Sequence, residues 1–370
     1  MKIVADNNIP FLKGVFEPYA EVAYKQGESI SRRDLITTDA LIVRTRTKCS
    51  RELLEDTGIK FIATATIGTD HIDMDFCRNQ GVEVVSAAGS NAWGVVQYVI
   101  SAINLLRPFR KFRPQKMVAG VIGAGNVGER VAYTLGKLGY RVLRCDPPVR
   151  QMIADGVHPP VLGPSPVDRG YLTSMDYCEI EDLLSSSDIV TVHLPLQKDT
   201  RGYIGDDYIS LLKSDALFIN TSRGEVVDED SLILRREHFD RLVLDVWSGE
   251  PSINTKLLKL ADIATTHIAG YSLEGKVNAT QMSVRALAAF FSIKPLMDFS
   301  IKTTDFDFVP SGRDKYETLS SLINQTFDMP GEDKKLREKP SSFEKLRSEY
   351  SYRREIPKIM YDIICDDQDS

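Results

Sequence analysis

Val118-Ala-Gly-Val-Ile-Gly-Ala-Gly-Asn-Val-Gly128 joins a short apolar run to a glycine-spaced turn and then to an amphipathic stretch. Gly123, Gly125 and Gly128 keep the G-x-G-x-x-G spacing. The first glycine makes the tight turn, the second lets backbone approach a pyrophosphate, and the third admits close helix–strand packing. Asn126 and Val127 lie inside that turn, where a helix N-terminus would point at phosphates. Val127, Val131, Leu135 and Leu138 share one helical face, and Gly139 is placed to end the helix in a left-handed conformation. Residues 141–145 read as the next strand. Asp146 follows 18 residues after Gly128, near the distance at which a carboxylate accepts ribose hydroxyls, which predicts NAD rather than NADP. A glycine fingerprint alone fits any tight strand-to-helix turn. The flanking strand, the helix and Asp146 together favour a dinucleotide cradle.

The chain has 370 residues, 42% of them hydrophobic and 26% charged, enough for two or three domains with a sizeable core. A net charge of −6 and a pI near 5.6 give no general attraction to nucleic acid or anionic membrane, so an anionic substrate must be held by local basic residues. The five scattered cysteines contain no C-x-x-C pair, which argues for reduced thiols and against zinc. No apolar run has the length of a membrane span, and residues 2–6 begin as a strand with no leader-like pattern. A cytoplasmic location is therefore expected.

Residues 1–90 alternate short apolar runs with helix-like stretches in a βαβ cadence. Two of the predicted strand ends carry polar clusters. Arg44-Thr-Arg-Thr-Lys48 offers three cations and two hydroxyls to a phosphate or carboxylate, with a solvated basic loop as the alternative. Thr64 to Asp73 offers small hydroxyl residues with His71 and Asp73, for which local turn capping is the commoner fate. Residues 91–112 read as one long helix. Pro147 and Pro148 should close the preceding strand, and the proline-rich residues 149–177 read as a surface excursion. His193 closes another strand just before Leu-Pro, a place where a structural role is favoured over catalysis. Residues 272–292 form a second long helix. Residues 358–365 read as a final strand in a charged C-terminal segment that needs a partner surface.

The chemistry concentrates at three successive strand ends. Asn220-Thr-Ser-Arg223-Gly, Asp245-Val-Trp-Ser-Gly-Glu250-Pro and Thr266-His267-Ile-Ala-Gly-Tyr271 each follow an apolar strand. Ligands of open α/β sheets bind beyond the carboxyl ends of the strands. An arginine to clamp a carboxylate, a histidine to accept a proton and a glutamate to support it suit oxidation of a hydroxy acid. Taken singly, each has a bland reading as an ion pair or a satisfied histidine.

This combination of motifs resembles the NAD-dependent D-2-hydroxyacid dehydrogenases over residues 1–292. Residues 44–48, 64–71, Cys145-Asp-Pro-Pro148 and the tail from Phe343 to Glu355 are similar to the members that oxidise 4-phospho-D-erythronate on the route to vitamin B6. Gln97 stands where those relatives usually show a glutamate, Thr45 replaces a serine, and Thr221-Ser222 replace Ala-Cys. The resemblance implies an α/β fold in which a Rossmann-type NAD-binding domain (93–267) is inserted in a smaller flavodoxin-like substrate domain (1–92 and 268–292). It also implies a C-terminal α+β dimerisation domain (293–370), shortened at its end, in a homodimer. It makes Arg223, Glu250 and His267 catalytic, and places Thr45, Thr66 and Tyr271 on the substrate, while the basic run predicts that Arg44, Arg46 and Lys48 hold its terminal phosphate. Asp146, Leu194, Thr221, Ser222, Arg223, Asp245 and Gly270 would line the NAD site with the glycine turn. The alternatives are another 2-hydroxyacid dehydrogenase, such as one acting on phosphoglycerate, or a non-catalytic NAD-sensing scaffold.

Overall fold

The computed structural model describes residues 1–157, 176–304 and 306–357, except for the side chain of Arg110. The chain divides into two compact units, Met1–Asn91 with Leu273–Asp305, and Ala92–Ser272 with Phe306–Ser370.

The first unit is built on five parallel strands: β1 (Lys2–Asp6), β2 (Glu21–Lys25), β3 (Ala40–Val43), β4 (Phe61–Thr64) and β5 (Glu83–Ser86). Their order is β2-β1-β3-β4-β5, the flavodoxin-type arrangement. β3 and β4 are buried at every position, so Ala-Leu-Ile-Val and Phe-Ile-Ala, which Thr64 closes, read as continuous apolar runs rather than alternating ones. β2 was not foreseen, because Glu-Val-Ala-Tyr-Lys is a half-exposed edge strand without a clean apolar period. The helix Leu273–Phe290 covers one face of this sheet, burying Val284, Leu287 and Ala288 with Ile3, Ala5 and Phe61.

The second unit carries six parallel strands: β6 (Val118–Ile122), β7 (Arg141–Cys145), β8 (Ile189–Val192), β9 (Leu217–Asn220), β10 (Arg241–Leu244) and β11 (Ile263–Ala264). They are ordered β11-β10-β9-β8-β6-β7, and an isolated parallel bridge sets Tyr177 against Arg144 of β7. The chain winds from β6 to β7 in one direction and from β8 to β11 in the other. The topological switch point, where doubly wound sheets open a crevice, therefore falls between β6 and β8. Register pairs Cys145 with Ile122, Ile122 with Val192, Val192 with Asn220, Asn220 with Leu244, and Leu244 with Ala264. These six residues form one transverse row at the carboxyl edge. Asp146, Gly123, His193, Thr221, Asp245 and Thr265 all follow it directly.

The expected helix over 91–112 is broken into Ala92–Leu106 and Phe109–Phe112, since Pro108 has no amide hydrogen and disfavours helix in the residue before it. Pro147 and Pro148 do not simply close β7. They occupy the first turn of a helix, Pro147–Ala154, where a missing N–H removes no bond. That helix begins the segment read as a surface excursion; residues 158–175 lie outside the described residues, as does the strand expected at 358–365.

The C-terminal segment is grouped with the second unit. From the helix Lys315–Thr326, Leu319, Leu322 and Ile323 enter the core formed by Val99, Ile103 and the helix Asn126–Lys137. The helix Met329–Glu338 covers the edge strand: Asp333 accepts a hydrogen bond from the Ala264 amide (2.7 Å), and Arg337 donates to the Leu258 and Ala261 carbonyls (2.8 Å each). One outward amide of the edge strand and two carbonyls of the helix before it are thus satisfied within the chain. No described helix is long and apolar enough to cross a membrane. Cys49, Cys77, Cys145 and Cys178 are free thiols.

Candidate active site

The glycine turn leaves β6 with Gly123 at φ +87°, a conformation that L side chains rarely adopt. A Cβ on Gly128 would lie 1.8 Å from the Gly123 carbonyl oxygen, so the helix Asn126–Lys137 seats on the turn only because this residue is glycine. A Cβ on Gly125, by contrast, would meet nothing within 4 Å. The helix has no side-chain cap at Gly125. Open space beside first-turn amides is what a pyrophosphate needs, so these residues fit a dinucleotide. Asp146 is fixed next to the turn: Oδ2 accepts from the Ala124 amide (2.8 Å) and Oδ1 from the Val149 amide (3.1 Å). Leu194, half-buried, begins the loop after β8 on the same edge.

His193 lies between Thr191 Oγ1 (3.0 Å from Nε2) and Thr221 Oγ1 (3.4 Å from Nδ1), and burial pushes its pKa down to about 3. It stays neutral and braces the β8 and β9 loops. Next along the edge, buried Asn220 shapes the Thr221–Ser222–Arg223 turn. Its Oδ1 accepts from the Ser222 amide (3.0 Å) and hydroxyl (2.7 Å), and its Nδ2 donates to the Arg223 carbonyl (3.1 Å). Gly224 lets this turn lie directly on the next one, since a Cβ there would fall 1.9 Å from the Trp247 carbonyl carbon. The backbone after Arg223 is thereby packed against the loop that carries Glu250.

Glu250 and His267 meet. His267 Nδ1 is 2.8 Å from Glu250 Oε2, and Glu250 Oε1 accepts the Trp247 amide at 3.0 Å. With Nδ1–H donated to a carboxylate, the neutral imidazole keeps its lone pair on Nε2. Burial raises the Glu250 pKa, but the charge and hydrogen bond of His267, the Arg347 guanidinium and the Trp247 amide outweigh it. The carboxyl is held below its ordinary range.

His267 itself sits at φ +57°. A left-handed conformation costs a non-glycine residue roughly 1–2 kcal/mol, so something must hold it. Asp245, fully buried at the end of β10, does so. Its carbonyl accepts the His267 amide (2.7 Å), and its carboxylate accepts the Ile268 and Ala269 amides (2.8 Å each) and the Thr265 hydroxyl (2.6 Å). The structure thus gives Asp245, expected beside the cofactor, a part in aiming the histidine. Trp247 adds a further tie, its indole N–H donating to the Thr265 carbonyl (2.9 Å).

The C-terminal segment also reaches this site, which no local sequence motif indicates. Arg353, buried, donates to the carbonyls of Ile268 (2.9 Å), Tyr271 (3.2 Å), Ala269 and Gly94 (2.8 Å), fastening the loop that runs from His267 through Gly270 to Tyr271. Arg347 places Nη1 3.6 Å from Glu250 Oε2 and donates from Nε to the Tyr271 hydroxyl at 3.0 Å. The available signal was spacing: Arg347 stands four residues after the buried Phe343 and so shares its helical face.

In the first unit, Arg44 donates to the buried Asp6 (Nε to Oδ2, 3.1 Å), while Thr45 and Arg46 are exposed and Thr47 is buried against the Gly27 carbonyl (3.0 Å). Thr66 and His71 both contact the Thr64 hydroxyl (2.6 and 3.3 Å). Asp73 caps the helix Met74–Asn79 by accepting the Phe76 amide (2.9 Å). Among the described residues no group of three or more histidine, cysteine or acidic side chains is placed to hold a metal ion.

Residues 106–269 match the D-isomer specific 2-hydroxyacid dehydrogenase NAD binding domain. The erythronate-4-phosphate dehydrogenase of Bacteroides thetaiotaomicron is 36% identical, aligned over 96% of this chain and 97% of its own. That of Cronobacter sakazakii is 37% identical, over 100% and 95%. Among solved structures, NAD-bound 3-phosphoglycerate dehydrogenase of Entamoeba histolytica covers 82% of this chain and 99% of its own, with TM-score 0.62 and 25% identity. The D-lactate dehydrogenase of Aquifex aeolicus, in complex with NAD and lactic acid, covers 80% and 96%, with TM-score 0.60 and 24% identity.

Proposed function

The chain belongs to the D-isomer specific 2-hydroxyacid dehydrogenases and, within them, to the erythronate-4-phosphate dehydrogenases, and from that premise we propose that it oxidises C2 of 4-phospho-D-erythronate with His267 as the base. The family makes it an NAD-dependent oxidoreductase acting on a CH–OH group. The product of the proposed reaction is (R)-3-hydroxy-2-oxo-4-phosphooxybutanoate, in the biosynthesis of pyridoxal 5'-phosphate in the cytoplasm.

NAD supplies the hydride acceptor. Oxidation of C2 also releases the hydroxyl proton, and the observation that carries the reading is the Glu250–His267 pair at 2.8 Å, which leaves Nε2 as the proton acceptor. Glu250, held anionic, stabilises the imidazolium that results. Arg223 takes the C1 carboxylate in two parallel hydrogen bonds and so aims the single C2 hydrogen at the nicotinamide. Thr221 and Ser222 line the cofactor side of the same turn, with Leu194, Asp146 and the 123–128 turn. Gly270 and Tyr271 complete the edge. Arg44, Thr45, Arg46 and Thr66 hold the phosphate end of the substrate, with Arg46 exposed and Arg44 set beside it by its pairing with Asp6. Phe306, Val309 and Tyr352, exposed on the C-terminal segment, support pairing of two copies through that segment.

NADH formation followed by absorbance with NAD and a panel of 4-phospho-D-erythronate, 3-phosphoglycerate and D-lactate tests the substrate. Preference for 4-phospho-D-erythronate is expected. A preference for 3-phosphoglycerate would replace the substrate while keeping the chemistry, and NAD binding with no turnover on any acid would point to a sensing scaffold.

A further inference from the structure

Glu250 Oε2 has two nitrogen neighbours. His267 Nδ1 approaches it from the loop after β11 at 2.8 Å, and Arg347 Nη1 approaches from the helix Phe343–Ser348 at 3.6 Å. The Arg347 and Glu250 side chains each keep only 17% of their accessibility, so solvent screens the contact far less than it would a surface pair. Arg347 is also held from the other end. Its Nε donates to the Tyr271 hydroxyl, and its guanidinium stands 5.7 Å from the centre of the Tyr271 ring. The guanidinium therefore bridges the carboxylate behind the proposed base and a tyrosine four residues further along the same loop.

From this geometry we infer that Arg347 is a positioning residue of the oxidation: it shares Glu250 with His267 and so limits how strongly the carboxylate pulls on the imidazole, while fixing Tyr271. The inference rests on His267 being the proton acceptor. The groups facing the pair are His267 and Tyr271 from the loop after β11, Arg347 from the C-terminal segment, and Asp245 from the end of β10. Removing one positive charge from this set favours the imidazolium. The same change unties Tyr271.

The test is titration of the His267 imidazole by NMR in the full-length protein, with His267→Ala identifying its signal among the five histidines. Arg347→Gln is expected to raise the titration midpoint by about half a pH unit or more, and Arg347→Lys, which restores the charge, to bring it back toward wild type. In a Glu250→Gln background the shift from Arg347→Gln should shrink, because the carboxylate they share is gone. Should Arg347→Gln not fold, Arg347→Lys alone decides: it is expected to keep the midpoint but raise KM about as much as Tyr271→Phe does. A wild-type midpoint in Arg347→Gln, or a wild-type KM in Arg347→Lys beside a raised one in Tyr271→Phe, would overturn the inference. The titration needs no substrate, so a protein inactive on 4-phospho-D-erythronate that still shows the shift would refute the functional reading and leave the coupling standing.

Discussion

The loops that end β9, β10 and β11 differ from the basic loop at residues 44–48 in how their side chains are held. After β10 and β11, nearly every polar group has a partner from within the second unit: Asp245 binds four backbone or hydroxyl groups of the next loop, and Arg353 donates to four carbonyls. At residues 44–48, Arg44 is paired with Asp6 and Thr47 is buried, while Thr45, Arg46 and Lys48 are exposed. The difference matches the two tasks proposed. Proton transfer tolerates little misplacement and calls for groups fixed before the substrate arrives, whereas a phosphate is held by charge and can be met by longer, more adaptable side chains.

Removing the base should have the largest effect. His267→Ala should lower kcat by about a thousandfold or more while the NADH affinity, read by fluorescence titration, stays near wild type. Loss of cofactor binding would make the histidine structural. Glu250→Gln should lower kcat by about a hundredfold with little change in the affinity for NADH, since the imidazolium loses its counter-charge. Asp245→Ala leaves two buried loop amides without an acceptor and should cost about 2–3 kcal/mol in urea unfolding, with activity falling as the turn at His267 relaxes. A destabilisation below about 0.5 kcal/mol would mean that the His267 backbone is held by something else.

Substitution in the basic loop should behave differently. Arg46→Ala is expected to raise KM for the phosphorylated substrate about tenfold, with kcat and stability near wild type. An equal loss in kcat would give that loop the same fixed character as the other. The smallest effect concerns acid. Because Glu250 titrates below its ordinary range when folded, its contribution to stability is complete above the unfolded glutamate value near 4.5 and is lost as the pH falls through the lower folded value. The stability gap between wild type and Glu250→Gln should therefore close as the pH is lowered below about 4.5. A gap that is constant with pH would mean that the carboxylate gains nothing from folding.

Much of this was legible in the sequence because the signals were local. The glycine spacing, the apolar runs of β6 to β10 and the Arg223, Glu250 and His267 strand ends each lie within a few residues, and the parallel register then sets their elements along one edge. What escaped was decided by distant partners. β2 is a strand because it pairs with β1, not because Glu-Val-Ala-Tyr-Lys alternates. Arg347 and Arg353 are drawn to the site by packing of Phe343 and Ile356 into two different cores, and Asp245 by a loop twenty residues further on. Pro147 and Pro148 were misread because prolines that end a strand and prolines that start a helix look alike until the N-cap, here Asp146, is known.

In the proposed reaction the β9 to β11 edge takes the hydroxyl proton while a hydride leaves C2. The most direct measurement uses 4-phospho-D-erythronate carrying deuterium at C2, with the NADH formed analysed by mass spectrometry. One deuterium should be retained in each NADH. NADH without deuterium, or no NADH at all from this substrate, would contradict it.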